Sequence, residues 1–150
     1  MYMNEALCQA RIAYKKNEVP VGAVIVRDGI VIARGHNLRE TNASAVSHAE
    51  ICAIEEACRY LGTWRLDGCE LFVTLEPCPM CSGAIINSRI KRVIYGARDN
   101  IAGCCGSVLD VNNYPFNHSF KVDGGILEHE CAELLSDFFK KKRNEKKKFE

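Results

Sequence analysis

His48-Ala49-Glu50 and, thirty residues on, Pro77-Cys78-Pro79-Met80-Cys81 force a long-range closure on this chain. One imidazole and two thiolates are good zinc ligands. The first segment predicts a helix that Ser47 caps, with Glu50 completing a capping box, and that runs to about Leu61 before Gly62 stops it. Pro77 predicts the opening of a second helix, where its missing N–H costs nothing, ending near Ser88. Cys78 and Cys81 then share a face in a first turn whose partial positive charge favours thiolate. A metal held by His48, Cys78 and Cys81 would join two helix ends. Three protein ligands leave a fourth position open, the mark of a catalytic zinc site that holds water. Glu50 does not share a regular helix face with His48, so both serve one site only if the metal sits beyond the helix tip. There the carboxylate relays the proton of the metal-bound water without being a ligand. A redox Cys-x-x-Cys pair, or a mere helix start at His-x-Glu, explains each segment alone but not their combination. The combination is what a zinc site that activates water for hydrolysis needs.

The surrounding pattern supplies a scaffold. Met3, Leu7, Ala10 and Tyr14 recur at helical spacing between Tyr2 and Lys16. Val21 to Arg27 and Ile30 to Arg34 are apolar, β-branched runs joined by Asp28-Gly29, a hairpin with a two-residue turn. Glu70 to Leu75, Arg92 to Tyr95 and Phe120 to Val122 read as strands, and Glu128 to about Arg143 as a helix with Cys131, Leu134, Leu135, Phe138 and Phe139 inward. Between Ala97 and Ser119 lies a long Gly- and Asn-rich stretch, of a length that is usually functional. The alternation predicts a layered α/β domain with helices on both faces of a mixed sheet. At 150 residues, 47% hydrophobic and 26% charged, the chain is read as one domain, residues 1–150, and not as a disordered or coiled-coil protein. No apolar run reaches the roughly 20 residues of a membrane span, and the N-terminus has no secretory pattern, so a cytoplasmic protein is expected.

The net charge of +1 is unevenly spread. Residues 140–150 carry seven Lys/Arg and two Asp/Glu, whereas the rest is net acidic. A basic tail on an acidic body points to a nucleic-acid partner or, equally, to a solvated helix end. Nine cysteines in a cytosolic chain favour metal or catalytic use over disulfides. Cys8, Cys52, Cys58 and Cys131 fall on apolar helix faces and read as small buried hydrophobes, and Cys104-Cys105 as reduced thiols.

Beyond the zinc signature, the chain carries Glu18-Val19-Pro20-Val21-Gly22-Ala23, Gly35-His36-Asn37, the block from Leu71 through Asp99, Gly106-Ser107, Phe116-Asn117-His118 and Leu134-Leu135-Ser136-Asp137-Phe138-Phe139. Together these resemble the bacterial tRNA-specific adenosine deaminases of the cytidine-deaminase-like superfamily, almost from end to end. The resemblance implies a three-layer cytidine-deaminase-like fold with a five-stranded mixed sheet, a homodimer, and hydrolytic deamination of the wobble adenosine in a tRNA anticodon arm to inosine. It implies one zinc ion per chain on His48, Cys78 and Cys81, Glu50 as the proton shuttle, and Asn37, Ala49, Asp99 and His118 as substrate contacts. Asn37 also reads as a polar residue ending the hairpin, and Asp99 as a loop residue capping its own turn. A free-base or nucleoside deaminase of the guanine or cytosine type shares the metal motifs. A non-catalytic zinc-stabilised RNA-binding subunit would have no use for Glu50.

Overall fold

A computed structural model of the chain describes residues 1–148. Phe149 and Glu150, the end of the basic tail, lie outside the described residues. Helix α1 (Tyr2–Lys15) precedes the hairpin β1 (Gly22–Arg27) and β2 (Ile30–His36), followed by α2 (Ala49–Leu61), β3 (Glu70–Leu75), α3 (Pro79–Ser88), β4 (Arg92–Ala97), β5 (Lys121–Asp123) and α4 (Glu128–Lys148). The hairpin turn has φ of 52° at Asp28 and 77° at Gly29, the two positive values that a type I′ turn demands. The five strands form one mixed sheet in the order β2-β1-β3-β4-β5. β1 is antiparallel to both its neighbours, and β3, β4 and β5 run parallel.

Two apolar layers sandwich the sheet. Side chains alternate across each strand, so Leu71, Val73 and Val93 pack with Ala53, Ala57 and Ile85 of α2 and α3. Phe72 and Ile94 face the other way, onto Met3, Leu7 and Cys131 of α1 and α4. In α1 the buried set is Met3, Ala6, Leu7, Ala10 and Ala13, a stripe at helical spacing. Each large side chain removed from water in these layers contributes about 1.5–3 kcal/mol. Gly35 on β2 sets how closely α2 lies against the sheet. A Cβ there would stand 2.4 Å from the Ala49 carbonyl oxygen and 2.6 Å from the Ala53 nitrogen. The first turn of α2 therefore rests directly on strand backbone, two residues before Asn37.

Several local expectations are corrected. Helix α2 is capped by His48 and not Ser47, and α3 starts at Pro79 with Cys78 as its cap, not at Pro77. Neither cap makes a side-chain hydrogen bond to its helix, because both side chains are directed elsewhere. Cys8 is exposed, Cys52 and Cys58 are only half-buried, and Phe139 is exposed while its neighbour Phe138 is buried. Adjacent residues on a helix point about 100° apart, so α4 can bury only one of the two rings. No helix among the described residues is long and apolar enough to cross a membrane.

Candidate active site

The tips of α2 and α3 meet beside the C-terminal ends of the parallel strands β3 and β4, the edge where open α/β sheets take their ligands. His48 and Cys78 are both helix caps with extended backbones, at φ −73°, ψ 156° and φ −77°, ψ 176°. That conformation projects a side chain beyond the helix end. His48 Nδ1 lies 3.6 Å from Cys78 Sγ and 3.6 Å from Cys81 Sγ. A tetrahedral zinc ion with ordinary Zn–N and Zn–S bonds sets nitrogen and sulfur about 3.6 Å apart. The three donors all lie within 4.8 Å of one another, and among the described residues they are the only such group. Their arrangement fits a tetrahedral metal with its fourth position open.

The charge state fits as well. A hydrogen bond from the Cys81 thiol outweighs burial and, with His48, draws the Cys78 thiol down to about 4. The thiolate so formed pushes Cys81 and His48 up. A ready thiolate beside an imidazole and a second sulfur is a donor set suited to a borderline-soft divalent cation.

Glu50 follows the His48 cap by two residues and is 4% exposed. Burial pushes its carboxyl up to about 7, and the Cys78 thiolate adds to the shift. It lines a cavity of about 200 Å³ with His48 and Cys78. Val19, Val21 and Leu75 give that cavity apolar walls, and Asn37, Arg39 and Asp99 its polar points. It is smaller than the roughly 300–1,000 Å³ of drug-sized ligand sites, so it has room for a single ring system and not for a run of nucleotides.

Most of the expected contact residues converge here. Ala49 is fully buried in the cavity wall. Asn37 lines the cavity and also fixes the turn after β2. Its amide nitrogen donates to the Val19 carbonyl at 3.3 Å, and its amide oxygen accepts from the Arg39 N–H at 3.1 Å. Asp99 is in the wall too, and its Oδ1 caps its own turn by accepting the N–H groups of Ile101 at 3.0 Å and Ala102 at 3.1 Å. The turn-capping role is thus present at the pocket edge.

His118 is not brought to the pocket. Its Nε2 lies 2.8 Å from the Ile90 carbonyl oxygen, beside Arg89, Lys91 and Lys121. β5 runs parallel to β4, with Lys121 paired to Arg92, so the chain must return to the start of β4 before entering it. That return carries His118 about 20 Å along the strand direction from the mouth.

Two buried acids were not singled out from the sequence. Glu76 ends β3 and is 1% exposed; it accepts from the N–H groups of Asp99, Cys105 and Ser107 and from the Ser107 hydroxyl. Glu18 accepts from the Glu40 and Thr41 N–H groups and the Thr41 hydroxyl, tying down the loop that carries Arg39. The available signal is an acidic residue directly flanking an apolar stretch, Leu71 to Leu75 in one case and Val19-Pro20-Val21 in the other. Cys104 and Cys105 are buried free thiols, and burial pushes Cys105 up to about 12.

Residues 1–143 match the family model described as MafB19-like deaminase. The chain is 51% identical over 148 residues to the tRNA-specific adenosine deaminase of Bacillus subtilis (strain 168), covering 98% of this chain and 92% of that protein. A solved structure from work on A-to-I editing by tRNA:A34 deaminases at the wobble position superposes with a TM-score of 0.84 at 44% identity, over 89% of this chain and 97% of the other. A guanine deaminase from Nitrosomonas europaea superposes at 0.76 with 27% identity, over 91% and 82% of the two chains.

Proposed function

This chain belongs to the MafB19-like deaminase family, among its tRNA-specific adenosine deaminases, and we propose that it hydrolyses adenosine to inosine at the wobble position of a tRNA anticodon arm. One observation carries this reading. A buried carboxylate lines the same cavity as a three-donor metal group, and that cavity has room for one ring system.

We assign zinc to His48, Cys78 and Cys81, one ion per chain. When bound, it supplies the Lewis acid that makes water a nucleophile at neutral pH. Glu50, buried in the cavity wall beside His48 and Cys78, can take the proton from the attacking water and deliver protons to the ring nitrogen and the departing amine. Val19, Val21 and Leu75 exclude bulk water from the flat faces of a base, and Asn37 offers an amide at its edge. Ala49, with only a methyl group, leaves room above the metal group. Reaching such a floor requires the adenosine to leave its stack, which an anticodon loop permits at low cost. Asp99, at the rim, is proposed to face the ribose, whose 2′-hydroxyl can donate to the carboxylate.

The protein is proposed to work as a homodimer in the cytoplasm. Residues 1–150 are read as one deaminase domain, and Lys140 to Lys148 on α4 as an added contact to RNA phosphates. The deciding experiment offers the purified zinc enzyme unmodified tRNA, free adenosine, guanine and cytidine. Inosine appearing in tRNA is the expected result. Ammonia released only from guanine or cytidine replaces the reading with the free-base alternative.

A further inference from the structure

The outer wall of the cavity is the first part of the β4–β5 connection, and a single buried carboxylate organises it. Glu76 accepts the Asp99 N–H at 3.2 Å, the Cys105 N–H at 3.0 Å, the Ser107 N–H at 3.1 Å, and the Ser107 hydroxyl. Four donors occupy most of the lone-pair capacity of a carboxylate. Gly103 is pressed onto the same group. A Cβ at that position would meet the Glu76 carboxylate at 2.5 Å and the Asp99 carbonyl oxygen at 2.4 Å.

Asp99 passes the constraint outward. Its carbonyl accepts the Gly103 N–H at 2.9 Å, and its Oδ1 accepts those of Ile101 and Ala102. The backbone N–H groups of residues 99, 101, 102, 103, 105 and 107 are therefore all engaged within one small network. Ala102 lines the cavity. Ile101, just before it, is 91% exposed, more than any other large hydrophobic side chain among the described residues. A scattered exposed apolar side chain needs no explanation. This one stands between two cavity-lining residues on a segment tied down at both ends.

We propose that Glu76 is a positioning residue for the RNA substrate: through Asp99 it presents Ile101 as an apolar lip that packs against the nucleotide flanking the extruded adenosine. The inference rests on the reading that a nucleotide within RNA is the substrate. Extruding one base leaves its neighbour with an unstacked face, and proteins that distort nucleic acids cover such faces with aliphatic wedges. Glu76 is 1% exposed and its oxygens face four internal donors, so it holds the lip from inside the protein and does not itself reach the RNA. The Ile101 side chain buries nothing in the free protein, so its contribution arises only with substrate bound.

The test measures KM and kcat of the zinc-loaded enzyme on an anticodon stem-loop, with zinc content and Tm read in parallel. Ile101→Ser should leave Tm and zinc unchanged and raise KM roughly three- to tenfold, equivalent to about 0.7–1.4 kcal/mol, with kcat little altered. Glu76→Gln should raise KM at least as far with zinc retained, and adding Ile101→Ser to it should cost nothing more. Gly103→Ala displaces the loop from its other side and should show the same non-additivity, and it takes the place of Glu76→Gln if that variant does not fold. On the RNA, an abasic site at the flanking nucleotide should abolish the Ile101→Ser effect. A wild-type KM for Ile101→Ser, or full additivity with both loop variants, overturns the lip while wild-type RNA activity still stands. Absence of RNA deamination by the wild-type enzyme overturns the substrate reading and the lip with it.

Discussion

Two carboxylates that line the cavity, Glu50 on the first turn of α2 and Glu76 just after β3, are 4% and 1% exposed and yet hold protons in opposite ways. Burial dominates at Glu50 and lifts it to about 7. At Glu76 burial pushes up as well, but the Ser107 hydroxyl and the N–H groups of Ser107, Asp99 and Cys105 outweigh it and hold the group below the usual carboxylate range. Depth alone therefore says nothing about role. The number of donors built around a buried carboxylate decides whether it stays a fixed charge that organises backbone or becomes a proton carrier. The chain sets one buried carboxyl of each kind of affinity, one raised and one lowered, at a single pocket.

The largest expected effect removes the metal group on which Glu50 depends. Cys78→Ala should lose zinc and essentially all deamination, read by metal analysis and by inosine formation; full zinc occupancy in this variant would remove Cys78 from the ligand set. Next, Glu50→Gln should keep zinc and fold while activity falls on the order of 10²–10⁴-fold, the usual worth of a general acid–base group. Its unfolding free energy should not decrease, since a neutral amide in that position carries no buried charge to desolvate. Near-normal turnover would sink the proton-shuttle role. The contrast then appears at Glu76. Glu76→Gln replaces a charged acceptor of four donors and should destabilise the folded protein by about 2–3 kcal/mol, visible as a lower denaturant midpoint. If Glu50→Gln and Glu76→Gln cost equal stability, the two sites do not differ as described.

The same contrast explains what could be read without a structure. The element order followed from periodicity, because Met3, Leu7 and Ala10 or Leu71 and Val73 announce their buried faces locally. The donor triad was legible because a metal site demands residue types and helix-end spacing that few other pressures produce. Helix starts were misplaced for a related reason. Ser47 and Glu50 imitate a capping box, but Glu50 lines the cavity, and the donor residues His48 and Cys78 themselves take the cap positions. Glu18 and Glu76 escaped notice because their donors are backbone N–H groups lying 22 to 31 residues away in sequence. No side-chain pattern marks a backbone donor. The position of His118, away from the cavity, was hidden in the same way, since its place depends on the return path into a parallel strand and not on its neighbours.

Glu18 supplies the smallest effect and a third point on the comparison. It is 1% exposed, like Glu76, and has three donors instead of four: the Glu40 N–H at 3.0 Å, the Thr41 N–H at 2.6 Å and the Thr41 hydroxyl at 2.6 Å. Burial opposes ionisation, but these donors, helped by His36, leave the group below its ordinary value. His36 is itself held down, by burial and by Lys16, whose ammonium lies 3.0 Å from its Nε2, so it offers Glu18 little positive charge near neutral pH. A carboxyl depressed on folding stabilises the native state above its unfolded value of about 4.3, and that stabilisation is lost as pH falls through the lower folded value. Glu18→Gln should therefore cost about 1–2 kcal/mol at pH 7, and the gap from wild type should narrow steadily below about pH 4. Denaturant unfolding of both proteins across that range, compared as a difference so that the other titratable groups cancel, measures it. A gap that stays constant with pH would mean that shape and neutral hydrogen bonds, not the ionised carboxylate, hold the Arg39 loop against the cavity.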